Sequence, residues 1–343
     1  MALLGCYGYM AAPNGYGQMW QEVMIGGSGL SYAQRNGADQ DVLVRLNVPV
    51  SNSLVSLAWQ GMYKVVAEVN AFIESMEGSG LSDDVKKQFL GEAYFLRALA
   101  YYNLATVWGD VPLKTVASSS DGIAVERSPK EEVYAQVVAD FQLAADNMAP
   151  ESEDGRANAW AAKAYLGKVY HKMARLGIDA ATNLGNAKKV FDEVYASGVY
   201  ALEPKFGDLF VNNVRGSEES IFQLNYTTES TSVFNRACNR LSPTHSTTGI
   251  TWSTYRAARF GYDLMQGTYP DDPRIAISYQ TSWRARGGNN QANPKAQVGD
   301  ELCVNDSAYL YPYFTYTIPD DFVMKNGEPT TTLKQYVARL PYA

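Results

Sequence analysis

Between residues 85 and 107 the apolar side chains Val85, Phe89, Ala93, Leu96, Ala100, Leu104 and Val107 recur in steps of three and four. That spacing lays one stripe along an α-helix. Ser82 stands where an N-cap is wanted, and Asp83 and Asp84 fall in the first turn, where carboxylates suit the positive end of the helix dipole. Gly109 can take positive φ just past the end, and Pro112 stops the helix resuming. The predicted helix, residues 82 to 108, is about 39 Å long, enough for a spine with neighbours on two sides. Tyr94, Phe95, Tyr101 and Tyr102 add to its apolar surface, so it needs packing around most of its circumference.

The same period appears on either side. Ala58, Met62, Val65, Val66, Val69, Phe72 and Ile73 mark a helix capped by Asn52 or Ser53 and running to about Met76, and Gly78-Ser79-Gly80 then breaks the chain. Two helices joined by so short a loop form an αα-hairpin, the unit of tetratricopeptide-like arrays. Ser128-Pro129-Lys130-Glu131 reads as a helix start with Ser128 as cap, followed by Val133, Val137, Phe141 and Ala144. Gly155-Arg156-Ala157 opens a fourth helix through Ala161, Ala164, Tyr165, Val169 and Tyr170, in which Ala161, Ala164 and Gly167 let a partner approach closely. A fifth covers Ala187 to Ala196, and a short one covers Ala2 to Met10. Beyond Tyr226 the period fades into Ser, Thr, Asn, Gly and Pro interleaved with rings. Tyr309 to Tyr316 alternates like a strand, and Tyr262-Asp263-Leu264 reads as a short helix.

Composition narrows the function. The 343 residues are 46% hydrophobic and 19% charged, which describes a globular chain with a substantial core. A net charge of −7 lacks the basic footprint of a nucleic-acid binder. Cys6, Cys238 and Cys303 are too scattered for a disulfide framework or a zinc site. The two histidines, His171 and His245, have neither a partner at metal spacing nor a nucleophile nearby in the sequence. No cofactor or metal is expected. Leu3-Leu4-Gly5-Cys6 matches a lipoprotein cleavage box by accident, since no charged and apolar leader precedes it; the chain is read as beginning inside a longer protein.

Gly91-Glu92-Ala93, Phe95-Leu96-Arg97-Ala98, Tyr101 and Gly109-Asp110-Val111-Pro112-Leu113 resemble the signature of the SusD/RagB-like family. Trp59, Tyr63 and Asn70 repeat that family's spacing in the preceding helix, and Gly155-Arg156 before an alanine-rich helix repeats its second half. The likeness extends through Gly198 to Leu202, Phe206 to Phe210, Glu218 to Phe222 and Asp271-Asp272-Pro273-Arg274, so it covers most of residues 54 to 274; Leu333 to Ala343 do not reproduce the family's closing helices. The resemblance implies a mainly α fold of tetratricopeptide-like helix pairs in a right-handed superhelix, with a loop-rich irregular subdomain. The expected division is an N-terminal segment over 1–53, a helical core over 54–225 and a ligand-binding subdomain over 226–343. The family consists of cell-surface lipoproteins of Bacteroidetes that bind oligosaccharides or other nutrients and sit on a SusC-like TonB-dependent outer-membrane transporter. It implies the same partners, an outer-membrane location and a lipid anchor outside this chain.

Glu92 and Arg97 are five apart on one helix, hence on different faces, and are expected to satisfy partners on neighbouring elements. With Gly109, Asp110, Pro112, Gly155 and Arg156 they are read as architectural, and Arg97 could also stack on Tyr101 one turn later. For ligand contact the residues singled out are Trp20, Tyr32, Asn36, Trp252, Tyr255, Trp283 and Arg284, with Arg35 nearby in the sequence. A sugar offers an apolar C–H face to a ring and hydroxyls to amide or guanidinium groups, and these residues supply both. The expected activity is capture without catalysis. Two rivals predict otherwise: a helical-repeat scaffold for protein partners, and a polysaccharide-active enzyme carrying two carboxylates across a cleft.

Overall fold

A computed structural model describes residues 2–33, 38–118, 124–152, 155–210, 217–227, 240, 254–280, 282–284, 301–303, 309–312 and 335–339. Helices α1 (Ala2–Ala11) and α2 (Met19–Gly26) lead through strand β1 (Ser31–Ala33) to α3 (Ala38–Val44). The array proper comprises α4 (Ser53–Glu77), α5 (Asp83–Trp108), α6 (Lys130–Asn147), α7 (Ala159–Arg175) and α8 (Ala180–Ala196). Consecutive helices pack on each other, α4 on α5, α5 on α6, α6 on α7 and α7 on α8, while α1 and α2 lie against α4. This is a mainly helical, tetratricopeptide-like architecture.

The spine helix is continuous, and its stripe is buried from Ala93 to Leu104; Val85 and Val107, at the two ends, stay exposed. Asn52 caps α4, accepting from the backbone N–H groups of Leu54 and Val55. Ser128 does not cap the next helix. It pairs with Val111 in a two-residue ladder of β2 (Val111–Pro112) with β3 (Arg127–Ser128), which moves the N-cap on to Pro129. Helix α8 begins before the Ala187 expected for it. Asp179, with φ 37°, turns the chain straight out of α7, and Asn183 bonds back to the carbonyl of Ile178.

Past the array come a short 3₁₀ helix (Phe206–Phe210) and β4 (Gln223–Thr227), which runs across residue 225 where the sequence divides core from subdomain. Then follow β5 (Tyr255–Ala258), α9 (Arg259–Thr268), α10 (Pro273–Ser278), β6 (Tyr279–Gln280), β7 (Ser282–Arg284), β8 (Glu301–Cys303), β9 (Tyr309–Pro312) and β10 (Gln335–Arg339). Of the strand expected over 309–316, the first four residues form β9 and the rest lies outside the described residues. Four strands form one sheet in the order β1-β5-β9-β6, and β10 returns antiparallel to β4 with Gln335 opposite Thr227. Among the described residues no helix is long and apolar enough to cross a membrane.

Candidate functional site

The two signature charges are spent inside the platform. Arg97 makes a bidentate pair with Asp140 of α6, with Nε to Oδ2 and Nη2 to Oδ1 both at 2.8 Å, and its other nitrogen reaches Asn70 of α4 and the carbonyl of Thr115. Asn70 in turn donates to the carbonyls of Lys114 and Val116, and the Tyr101 hydroxyl exchanges bonds with the backbone of Lys114. The chain leaving α5 is thus nailed down along residues 114 to 116. Tyr101 is taken up by that work, and the ring under Arg97 is Tyr94 instead, 5.4 Å away. Glu92 receives Arg156 through Nε and Nη2 at 2.9 and 2.7 Å, the Tyr7 hydroxyl at 2.8 Å and Gln88 at 2.9 Å. Burial, and then the Glu92 charge, hold the Tyr7 phenol well above its ordinary range, so it stays a donor while accepting from the N–H of Ala157.

The other signature residues shape turns. Gly109 has φ 73°, open only to glycine without strain, and this lets the Asp110 carboxylate accept from the first N–H of α6, on Lys130. The Pro112 carbonyl accepts from the Tyr63 hydroxyl at 2.7 Å. Gly155, with φ 80°, lies against the Asn225 amide of β4 and turns the chain so that Arg156 meets Glu92.

The residues singled out for ligand contact divide three ways. Trp20 is 6% exposed, in the core between Tyr16 and Trp108, and Tyr255 is fully buried. Neither ring offers a face to a ligand; α2 packs down on α4, and β5 is interior to its sheet, with β1 on one side and β9 on the other. These two are corrected from contact residues to core. Tyr32 sits in β1 opposite Arg256 of β5, and Trp283 and Arg284 sit in β7 opposite Leu302 and Glu301 of β8. Arg35, Asn36 and Trp252 lie outside the described residues.

Two features escaped the sequence reading. One is a ring cluster at the end of the spine: Trp108 packs edge-on against Trp59 at 5.2 Å, and Trp59 tilts over Tyr63 at 4.8 Å. All three are half-buried. The spacing of Trp59 and Tyr63, one helical turn, was the available signal. The other is Glu22. It is 1% exposed and accepts from Gln18 at 2.6 Å and from the Tyr255 hydroxyl at 3.0 Å, with the Arg240 guanidinium 3.1 Å away. A single carboxylate in the apolar run Trp20 to Ile25 was its signal. No cluster able to hold a metal ion exists among the described residues.

A helical-repeat platform with its charges consumed internally and a small sheet docked on its flank is the class of protein that the fold defines. The family model described as starch-binding associating with outer membrane, SusD-like, matches residues 10–171. A SusD-like protein of Bacteroides ovatus is 29% identical over 192 residues, 53% of this chain and 35% of its own length. SusD-like protein P2 of Formosa agariphila is 27% identical over 298 residues, 82% of this chain and 55% of its own. The chain thus spans about a third to about a half of these relatives' length. Among solved structures, a laminarin-binding SusD-like protein superposes with a TM-score of 0.74 at 20% identity, over 99% of this chain and 76% of that one. Over residues 10–171 the chain is similar to SusD-like proteins.

Proposed function

We propose that this chain belongs to a cell-surface glycan-binding protein that captures oligosaccharides and passes them to a TonB-dependent transporter in the outer membrane. The observation that carries the reading is the SusD-like match over residues 10–171. The superposition on a laminarin-binding protein supports a glucan as first ligand to try. Binding is by stacking and rim contacts, without bond cleavage: Tyr32, Trp252 and Trp283 supply rings, and Asn36 and Arg284 supply polar groups. The helical platform carries the strands bearing Tyr32 and Trp283, and hand-over follows when the protein closes on its transporter as a lid.

Calorimetric titration with laminarin oligosaccharides and a panel of other soluble glycans tests this. A saturable isotherm is expected, weakened in Trp252→Ala and Trp283→Ala by about 1–2 kcal/mol each, roughly five- to thirtyfold in affinity. Release of new reducing ends on incubation would favour an enzyme, and silence across the whole panel would remove the sugar from the reading.

A further inference from the structure

Among the described residues, platform and sheet meet over little apolar surface. The main core runs through the helices and takes in Phe222, Leu224 and Tyr226, whereas the sheet is buried in a separate small cluster of Ala33 and Tyr255, flanked by Ile25 and Val44. A contact of that size contributes little hydrophobic stabilisation, so the polar bonds at the same spot weigh more. They converge on one carboxylate. Glu22 Oε2 accepts from the hydroxyl of Tyr255, 233 positions away in the chain, and Oε1 faces Arg240. Arg240 is fastened to the sheet side in turn, its carbonyl accepting from the N–H of Thr254 at 2.7 Å and its guanidinium donating to the Thr254 hydroxyl at 3.2 Å. Gln18, one turn before Glu22 in the chain, holds the carboxylate from behind.

We infer that Glu22 is a positioning residue: its buried carboxylate, gripped by Tyr255 and Arg240, sets how the sheet sits on the helical platform and so aims strand β1, which carries Tyr32. Strand β1 is directly paired with β5 through Tyr32 opposite Arg256. A buried carboxylate gives direction where an apolar patch does not, because hydrogen bonds to it have narrow geometry. The consequence for ligand affinity rests on the glycan-binding reading above; the joint itself does not.

Hydrogen–deuterium exchange on the whole chain tests the joint. Glu22→Gln keeps the shape but removes the charge facing Arg240 and turns one acceptor oxygen into an N–H donor, and Tyr255→Phe removes one hydroxyl. Amides of β1 and β5 are expected to exchange about ten- to a hundredfold faster in Glu22→Gln, with α4, α5 and α6 unchanged. Glu22→Gln with Arg240→Gln should exchange no faster than the worse single variant, since both remove one interaction. In the same samples the affinity for laminarin oligosaccharides should fall about tenfold while the melting temperature of the helical core holds. Unchanged exchange in β1 and β5, or equal acceleration in β5 and α5, would overturn the inference. If Glu22→Gln fails to fold, Tyr255→Phe decides by the same comparison. A wild-type chain that binds no laminarin oligosaccharide removes the ligand half alone, and the exchange result still judges the joint.

Discussion

Charged residues at the centre of a helical bundle stay there only if every polar atom is answered. Asp140 is fully buried and Arg97 nearly so, and their bidentate pair is completed by Asn70 and by Gln136, which donates to Asp140 at 2.9 Å. A buried pair of this kind adds little net stability over an apolar replacement, yet leaving one member alone is costly. Its use is to set which helices meet, and at which height. Cys6 illustrates the opposite case, a polar atom kept neutral. Burial, with a smaller push from the Glu68 charge, raises its thiol from 9.0 to about 11. Below pH 9 the thiol is protonated in both folded and unfolded chains. Between about 9 and about 11 the unfolded chain gives up the proton and the folded one keeps it, so stability falls as pH rises. The buried phenols of Tyr7 and Tyr165 are shifted up and act in the same direction. The urea midpoint should therefore drop between pH 8.5 and 10.5, and peptide-resolved mass spectrometry at pH 8 should find Cys6 alkylated only in denaturant. Rapid native labelling of Cys6 would contradict its burial.

Helix spacing is where glycine decides the packing. A Cβ built on Gly61 of α4 would stand 2.2 Å from the carbonyl oxygen of Asn14, in the turn that follows α1. Backbone cannot swing aside as a side chain can, so Gly61→Ala should destabilise by about 1–3 kcal/mol. Gly185 of α8 has nothing within 4 Å and is exposed, so Gly185→Ala should stabilise by about 1 kcal/mol through helix propensity. Denaturant melts of the two variants should shift in opposite directions; equal shifts would mean that α4 does not lie on that turn. The element order was largely legible beforehand. The stripes of α4 to α7 occupy the predicted residues because the 3.6-residue period is a local property of the chain. The start of α8 was not legible: Asn183 and Gly185 are weak helix formers, and the burial of Asn183 and Ala187 comes only with the packed neighbours. The cap at Ser128 was misplaced because its competitor, the ladder to Val111, lies 17 residues back.

At the scale of the whole molecule, the last helix of the array carries exposed apolar side chains among the described residues. Helix α8 leaves Leu184 and Tyr195 exposed, Tyr195 at 90%, and Val199 and Leu202 continue the apolar surface into the following loop. A patch of this sort on a chain of modest net charge promotes association. Sedimentation velocity should show self-association that rises with concentration and is reversed by Leu184→Glu with Tyr195→Gln. The carboxylate introduced by Leu184→Glu would stand one turn before Lys188, a favourable helical pair. A single monomeric species at every concentration would show that the face is closed in solution. The glycan-binding reading has a different whole-molecule requirement: the segments carrying Tyr32, Trp252 and Trp283 must be held in fixed relation to the platform.

Taken alone, the amino-acid order settled where α4 to α7 run and that Glu92 and Arg97 face different ways, since each of these follows from spacing within a few turns. Only the folded chain decided that Arg97 meets Asp140 and Glu92 meets Arg156, that β4 is closed by a strand more than a hundred residues later, and that Trp20 and Tyr255 are interior. Those outcomes turn on which distant segments come together. A ring looks the same in sequence whether it will stack on a sugar or be walled in by a neighbouring helix, because burial belongs to the neighbours.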